Sequence, residues 1–415
     1  MITSGAVDGA NYSQEDNYWS VPISVATRLR FYFVSSNVGW GGSEELWSAT
    51  AAQLVANGHE VTAFKCELAD GAHIGRLRAR GCRMRGQVRL PTPFRNLSPF
   101  MTKVVFRLLS ELQPLRFSLS LRVAPPPDLI VLSQGGNSDG LSFARSFLSR
   151  STPYVVISHK ASDLDWPPDG KRGELRDLYT SALACCFVSE HNWRLTEEQL
   201  GVTLPQATIV RNPYLVPWGP RTDWPDDRGG LRLACVARLN IKEKGQDILL
   251  RVLAREKWRQ RPLSVTFYGE GANREGLTGF ADFLQLKSVS FVGHVHDVAR
   301  IWDDHHGLVL PSRCEGLPIT VIEAMLSGRF AIVTNVAGNA EVVQDGLTGF
   351  IAAAATEDAL DEAMERAWAV RKQWSALGAA ASTHIRTLVP SDPAATMASL
   401  LLGLADRGPE LQHPR

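Results

Sequence analysis

The segment 311–352 constrains the fold of this 415-residue chain more than any other part of it. The apolar run Gly307–Leu310 stands before it and predicts a buried strand. After a polar loop, Pro318 begins a predicted helix of about two turns. A second apolar run, Phe330–Thr334, predicts another strand, and the next helix is expected to start at Glu341. This strand–loop–helix–strand order is typical of an α/β protein with a parallel sheet.

Two carboxylates in this segment, Glu315 in the loop and Glu323 in the predicted helix, point to a ligand. The neighbours of Glu323 are apolar, so its charge would be costly there without a polar partner. An ionised carboxylate only accepts hydrogen bonds, and sugar hydroxyls can donate them. The backbone of Gly316 and Leu317, just before the helix, suits a phosphate. Together these features suggest a nucleotide-sugar; the alternative is that Glu323 lies on a solvated helix face.

These residues carry a resemblance to a known family. Glu315 and Glu323, with Gly316 and Leu317 between them and the sequence GLTG at 346–349, resemble the E-x7-E signature of retaining GT-B glycosyltransferases of family 4, the glycosyl transferases group 1. The resemblance implies an α/β fold of two Rossmann-like doubly wound domains that face each other across a cleft. It also implies that Glu323 holds the ribose hydroxyls of a nucleotide-sugar and that Glu315 holds a hydroxyl of the donor sugar.

Strands and helices alternate in two halves of the chain, with a Pro-, Gly- and Asp-rich linker composition at 214–230. Further strands are predicted at 29–35, 60–64, 128–133, 154–158, 185–189, 231–237, 264–268 and 289–292. We therefore expect a loose N-terminal lead-in at 1–27, an acceptor-side Rossmann-like domain at 28–215, a linker at 216–230, a nucleotide-sugar-binding Rossmann-like domain at 231–388, and a C-terminal helix that crosses back to the first domain, with a tail, at 389–415.

Two features of the first half lie at strand ends. Gly41 and Gly42 belong to a Gly-rich loop between a strand and a helix, where glycines let a backbone approach a ligand closely; a plain tight turn is the alternative. His159 directly follows a strand, and ligands of open α/β sheets bind at the carboxyl ends of strands. In the family, a G-G-x-E loop faces the donor and acceptor, and a strand-end histidine lies near the donor sugar, so the resemblance implies these roles here.

Arg238 and Lys244 lie between a predicted strand and a helix, where two cations would form a pocket for a diphosphate. Surface lysines are common, so composition alone gives this hypothesis little weight. The family has a G-R-L…K-G pattern at this point, and its Arg and Lys hold the diphosphate. Here Ala237 replaces the usual glycine. Lys242 lies nearby, and Lys244 is the lysine that we predict to reach the ligand.

Two further turns in the second half match the family. Gly269 and Gly271 follow a predicted strand and match the G-x-G turn under the nucleotide. Gly293 and His294 belong to a stretch that lies beside the nucleotide base in relatives. The H-x-H-D run here lacks further Cys or His ligands, so we expect no metal site. The pair at 305–306, His-His, is expected at a solvated helix end.

The segment 76–122 is strongly basic, with eleven Lys or Arg and one acidic residue, Glu111. Apolar residues alternate with the basic ones. The favoured interpretation is an amphipathic helix with a solvated basic face. The functional alternative is a patch for anionic lipid or for a phosphorylated acceptor, which leaves peripheral membrane contact through 76–122 as an open option.

Composition is that of an ordinary soluble globular protein, with 44% hydrophobic and 21% charged residues. The formal net charge of +1 argues against nucleic acid as a partner. Six cysteines without a C-x-x-C pair fit reduced thiols. The N-terminus shows no apolar run of a secretory signal, so we expect a cytoplasmic protein, with contact to a membrane surface as the option named above.

The predicted function is transfer of a sugar, with retention of anomeric configuration, from a nucleotide-diphosphate sugar to a cell-envelope glycan, polysaccharide or lipid-linked acceptor. The nucleotide-sugar is a co-substrate, and neither a cofactor nor a metal is expected. Two alternatives stay open: a catalytically silent sugar-nucleotide binding subunit, and a GT-B-fold sugar-nucleotide epimerase. Departures from the family at Ala237, Arg329 and 337–339 concern the donor side. They leave the base and the sugar undetermined.

Overall fold

A computed structural model describes residues 28–37, 39–66, 71–86, 101, 104, 108, 112–148, 152–219 and 223–411, without the side chains of residues 113, 147 and 407–411. The predicted lead-in at 1–27 and much of the basic segment lie outside the described residues. All six cysteines lie within them, and each is a free thiol.

The first half of the chain forms one parallel sheet of seven strands in the order β3-β2-β1-β4-β5-β6-β7. Its strands are β1 Arg30–Ser35, β2 Glu60–Phe64, β3 Arg83–Arg85, β4 Leu129–Gly136, β5 Tyr154–Lys160, β6 Ala184–Phe187 and β7 Ala207–Ile209. The central strands are buried along almost their whole length because helices cover both faces of the sheet.

Helices of the first half connect successive strands. They are α1 Gly42–Ala56, α2 Ala72–Ala79, α3 Gln113–Val123, α4 Leu141–Leu148, α5 Asp169–Thr180 and α6 Glu190–Leu200. Leu46 and Leu54 of α1 pack on one face of the sheet, in a core with Phe31 and Phe33. Phe117 of α3 packs on the other face. Residues of alternate parity along β1 therefore serve two separate cores, as the pleat of a strand requires.

The second half forms a parallel sheet of six strands in the order β10-β9-β8-β11-β12-β13. Its strands are β8 Leu231–Val236, β9 Leu263–Tyr268, β10 Val289–Gly293, β11 Gly307–Leu310, β12 Phe330–Thr334 and β13 Gly349–Ala352. Its helices are α7 Ile241–Lys244, α8 Gln246–Leu253, α9 Glu256–Arg259, α10 Arg274–Phe283, α11 Ala299–Asp304, α12 Ile319–Leu326, α13 Asn339–Val342, α14 Glu357–Ala369 and α15 Trp374–Leu388, with a short 3₁₀ turn at Arg371–Gln373.

The segment 307–352 folds closely as expected. Strands β11 and β12 and helix α12 have the predicted bounds, and Pro318 is the N-cap rather than the first helical residue. Helix α12 is apolar on almost all sides, since both β11 and α15 pack around it. The next helix begins at Asn339, not at Glu341, and is only four residues long. The side-chain amide of buried Asn339 donates a hydrogen bond to the carbonyl of Thr334. This bond places the start of the helix before the predicted position.

The final helix, α16 Pro393–Leu411, packs against the first half of the chain although it follows the second. Leu401 is fully buried in the core that contains Leu46 and Leu54 of α1. The preceding helix α15 packs on the second sheet through Ile385. By length and composition alone, the stretch Arg371–Asp406 could cross a membrane, with a hydropathy of 1.3. Within this stretch Ile385 and Leu401 are buried in the two cores.

The two sheets present the carboxyl ends of their strands to each other. Lys160, at the end of β5, forms an ion pair with Glu243 of α7 at 2.8 Å. Gly42, at the start of α1, lies so close to Ile319 of α12 that a β-carbon on the glycine would stand 2.9 Å from the isoleucine side chain. The predicted α/β fold of two doubly wound domains across a cleft is confirmed.

Candidate active site

Both sheets have a topological switch point where the strand order reverses. In the first sheet it lies between β1 and β4, and in the second between β8 and β11. Loops on either side of such a point diverge and leave a crevice at the carboxyl ends of the strands, which is where open α/β sheets bind ligands. The predicted site residues follow strands at or beside these two points.

A buried ion pair between Lys244 and Glu315 lies at the carboxyl ends of the strands of the second sheet. The Lys244 Nζ lies 2.6 Å from Glu315 Oε1, and Ser312 donates a hydrogen bond to the same oxygen at 2.6 Å. Only 15% of the lysine side chain and 6% of the glutamate side chain are exposed. Gly245, with φ of +62°, makes the pairing possible, because a β-carbon there would stand 2.1 Å from the carbonyl of Pro311.

Arg238 lies at the open side of the same cluster. Its guanidinium is 3.1 Å from Glu243 Oε2, and 71% of its side chain is exposed. The other oxygen of Glu243 pairs with Lys160 of the first sheet. Burial opposes ionisation of Glu243, but the adjacent Lys160, Arg238 and Lys244 outweigh it and lower the pKa of the carboxyl group. One ionised carboxylate therefore holds two cations, one from each half of the chain.

His159 faces this cluster from the end of β5. It is buried, and its Nε2 lies 3.3 Å from the hydroxyl of Ser133. Burial lowers the pKa of the imidazole to about 4, while the charge of Glu44 and the side chain of Asn212 act in the opposite direction. The ring is therefore neutral near pH 7. Its Nδ1 is shielded from solvent, and the Asn212 side chain lies within hydrogen-bonding range of the ring.

The loop before α12 touches the first half directly. A β-carbon on Gly316 would stand 1.9 Å from the carbonyl oxygen of His159, so only glycine fits against this strand end. Leu317 is buried in the apolar core under the loop. Across the cleft, Gly41 is the N-cap of α1 and has open space around its Cα. The structure thus brings Gly316, Leu317, Gly42 and His159 to one place.

The remaining predicted glycines allow backbone segments next to the cleft to pack closely. A β-carbon on Gly269 would stand 2.1 Å from the carbonyl of Ala237, and one on Gly271 would stand 2.3 Å from that of Leu239. These two glycines let the end of β9 lie against the backbone on both sides of Arg238. Gly293, with φ of +96°, accepts a hydrogen bond from the Gly269 amide.

His294 is exposed, and its ring lies against His296 in an edge-to-face contact at 4.8 Å. Within the described residues, no group of three or more His, Cys, Asp or Glu has a geometry that could hold a metal ion. The two histidines of the H-x-H-D run thus have no third protein ligand in that part of the chain.

Glu323 is buried in α12 and accepts a hydrogen bond from the backbone amide of Leu215 at 2.8 Å. Burial raises the pKa of this carboxyl group to about 7, and the hydrogen bond from Leu215 only partly offsets the shift. The alternative of a solvated helix face is therefore wrong. Because Leu215 belongs to the connection between the two halves, the carboxyl group joins the second sheet to that connection.

Several residues of the cleft were missed at the level of sequence. Neither Glu243 nor Lys160 was predicted from the sequence as a residue of the cleft. A second buried cluster pairs Lys65 with Glu44 at 3.0 Å, both side chains fully buried. Lys65 also donates to the carbonyls of Asn37 and Gly39 and so holds the Gly-rich loop. The spacing G-G-x-E, with its carboxylate at Glu44, was the one signal that could have revealed it.

His305 and His306 are not at a solvated helix end, and that expectation is wrong. Both side chains are buried, and the rings contact aromatic residues from distant parts of the chain. The Nδ1 of His306 accepts a hydrogen bond from the Arg232 amide at 3.0 Å. Burial lowers the pKa of His306 to about 4, so it is neutral and structural.

Comparison with known proteins adds the family. The family model of glycosyl transferases group 1 matches residues 230–369, and that of the glycosyl transferase 4-like domain matches residues 41–214. An uncharacterized glycosyltransferase of Haemophilus influenzae is 32% identical over 110 residues, which are 26% of this chain and 31% of the relative. A glycogen synthase of Mycobacterium tuberculosis is 28% identical over 190 residues, 42% and 46% of the two chains. These matches span less than half the length of either curated relative.

Solved structures agree on the fold. HepE of Anabaena, in complex with UDP, has a TM-score of 0.68 at 16% identity, and the match covers 90% of this chain and 99% of HepE. Sucrose-phosphate synthase of Thermosynechococcus elongatus has a TM-score of 0.69 at 17% identity, with coverage of 91% and 99%. Both family models fall on the two sheets described above, and together they span most of the chain. The chain therefore belongs to the GT-B glycosyltransferases of the glycosyl transferases group 1 family.

Proposed function

We propose that this enzyme transfers a sugar from a nucleoside-diphosphate sugar to a glycan or lipid-linked acceptor with retention of the anomeric configuration. The observation that carries the proposal is the pair Lys244–Glu315 beside Arg238, at the switch point of the second sheet and opposite His159 of the first. Cations at this edge match a diphosphate, and the buried carboxylate matches the hydroxyls of a sugar. A structural neighbour, HepE, is known in complex with UDP.

The proposed chemistry rests on charge stabilisation of the leaving group. As the bond between the anomeric carbon and the donor phosphate oxygen breaks, negative charge develops on the nucleoside diphosphate. Lys244 and Arg238 are fixed cations at that position, and such groups stabilise developing charge without reorganisation. The acceptor oxygen forms the new bond to the anomeric carbon, and its proton passes to the leaving phosphate. With two cations in this role, we propose a reaction that needs no metal ion.

Retention by this route also fits the carboxylates at the cleft. A double-displacement mechanism needs a carboxylate that can attack the anomeric carbon. Glu315 is held by Lys244 and Ser312, and Glu243 is held by Lys160 and Arg238. We therefore assign Glu315 to a donor-sugar hydroxyl and Glu323 to the ribose hydroxyls, and neither to a nucleophile. We also assign His159, as a neutral ring, to the donor sugar.

Donor binding can be tested by thermal unfolding of the wild type with UDP-, GDP- and ADP-sugars. A ligand that binds only the folded state stabilises it by about 2.7 kcal/mol at one hundred times its dissociation constant. We expect a rise in Tm with one of the bases, and a much smaller rise in Arg238→Ala. Arg251→Ala is the matched control, since Arg251 is half-exposed on α8 and pairs with Glu357 outside the cleft.

An unchanged Tm with every nucleotide-sugar would overturn the proposal. Binding without hydrolysis or transfer would favour the catalytically silent binding subunit instead. With the donor identified, NMR of the product gives the anomeric configuration, and inversion would refute the retaining mechanism.

A further inference from the structure

Helix α3 exposes an apolar face to solvent. Among the described residues, seven of the thirteen large hydrophobic side chains that are exposed lie between positions 101 and 123. They are Met101, Val104, Leu108, Leu112, Leu115, Leu119 and Val123. Leu112, the N-cap of α3, and Leu115, Leu119 and Val123 within it are spaced three or four residues apart, which places these four side chains on one face of the helix. Exposed apolar residues scattered singly need no explanation, but a continuous row of them indicates an interaction surface.

The row has arginines on both sides. At about 100° of rotation per residue, Leu112, Leu115, Leu119 and Val123 fall within an arc of about 80° on α3. On the same wheel Arg116 and Arg122, both exposed, lie just outside the two edges of that arc. The expected amphipathic helix is present at α3 and both of its arginines are exposed, but the outward centre of the helix is apolar and the basic residues form its borders.

Helix α3 packs against the first domain through the side opposite this apolar face. Its opposite side inserts Phe117, fully buried, between Phe64 and Phe143. Leu121 packs against the same core. Helix α3 is thus anchored to the first sheet and holds its outer leucines as a rigid row, which is the arrangement of a helix that lies on an interface.

Charge separates the kinds of partner that could cover the row. The two charged residues of α3, Arg116 and Arg122, are both basic, in a chain whose formal net charge is +1. A second copy docked face to face would bring like charges together, which opposes association. An anionic lipid surface attracts the arginines and accepts apolar side chains below its head groups. Arginine side chains can extend from an apolar stripe to lipid phosphates.

We propose that the outer face of α3 docks the first domain onto an anionic lipid bilayer. Leu112, Leu115, Leu119 and Val123 enter the head-group boundary, while Arg116 and Arg122 bind lipid phosphates at either side. This surface is distinct from the donor site, and its occupation needs neither donor nor acceptor. The inference therefore stands or falls independently of the proposed function.

Co-sedimentation with lipid vesicles tests the proposal. The full chain is mixed at about 0.1 M salt with vesicles of phosphatidylcholine alone or with about 30 mol % phosphatidylglycerol. We expect the wild type to sediment with the anionic vesicles only, and less at higher salt. The double variant Leu115→Glu/Leu119→Glu should bind at least about tenfold more weakly, because it removes two apolar anchors and adds repulsive charge.

Phe283→Glu is the matched control. Phe283 is 80% exposed on α10 of the second domain, so the same kind of substitution there should leave vesicle binding unchanged. Both altered positions of the double variant are exposed, and its thermal unfolding should match that of the wild type. The proposal is overturned if the wild type does not bind anionic vesicles, if it binds neutral ones equally, or if the double variant binds as the wild type does. A wild-type dimer in light scattering that the double variant abolishes would also overturn it, in favour of self-association.

Discussion

At the scale of single residues, the cleft is built from carboxyl groups whose surroundings differ. Glu243 pairs with Lys160 and Arg238, and these two cations together with nearby Lys244 lower its pKa, so it is ionised at neutral pH. No cation of the described part of the chain pairs with Glu323, and its burial raises the pKa to about 7. Glutamate thus serves two purposes in this protein. Glu243 is a permanent charge that joins the two halves, and Glu323 is a carboxyl group whose pKa lies close to neutral pH. Environment, and not residue type, decides which purpose each one serves.

Glu323→Gln should remove a pH dependence of stability. The pKa of Glu323 rises from 4.5 in the unfolded chain to about 7 in the fold, so the folded state binds the proton more tightly. Its favourable contribution is complete below about pH 4.5 and is lost as pH rises towards 7. Relative to the wild type, the glutamine variant should therefore gain roughly 2 kcal/mol in free energy of unfolding between pH 5 and pH 8.

Urea unfolding of both proteins at pH 5 and pH 8 gives this difference. Groups other than Glu323 titrate alike in both, so they cancel. Glutamine can still accept the hydrogen bond from Leu215, which keeps the comparison conservative. Parallel pH profiles for the two proteins would show that the carboxyl group is ionised throughout and would refute the raised pKa.

At the scale of elements, the sequence predicted the parallel strands better than the side-chain contacts of the cleft. The predictions of helix α12 and of strands β11 and β12 were correct because Pro318, a polar loop and short apolar runs are local signals. The pairing of Lys160 with Glu243 joins positions far apart in the chain, so no local pattern could indicate it. The burial of His306 depends likewise on Trp224 and Trp374, which reach it from distant elements.

The turn between β12 and α13 contains strain that a single substitution should relieve. Ala337 has φ of +48°, a left-handed conformation that costs an L-residue about 1 to 2 kcal/mol. Glycine adopts it freely but increases the freedom of the unfolded chain by about 0.4 to 1 kcal/mol. Ala337→Gly should therefore raise the free energy of unfolding by about 0.5 to 1 kcal/mol.

Denaturant unfolding measures this change, with Ala354→Gly as the control. Ala354 is exposed and does not have a positive φ, so glycine there should only destabilise. Equal losses in both variants would mean that the turn at Ala337 is unstrained. The position matters for the site, because the next residue, Gly338, donates its amide to the carbonyl of Gly316 in the cleft loop.

At the scale of the whole molecule, the chain closes on itself. The last helix, α16, completes the core of the first domain, although the second domain lies between them in sequence. The connection through Leu215 is held by Glu323, and Arg386 of α15 donates to the carbonyls of Trp218 and Gly219 in the same connection. The chain therefore crosses between the two halves twice. Both connections limit how far the cleft can open or close.

Leu401→Ala should destabilise the first domain from the far end of the chain. Leu401 is fully buried against Leu46 and Leu54 of α1, and truncation of a buried leucine costs about 2 to 5 kcal/mol. Hydrogen exchange at low denaturant should show faster exchange of α1 amides. Leu249→Ala, an equally buried leucine of the second core, should instead speed exchange in α8. If Leu401→Ala left α1 protected, α16 would be a peripheral addition; faster exchange there would make the C-terminal helix an integral part of the first domain.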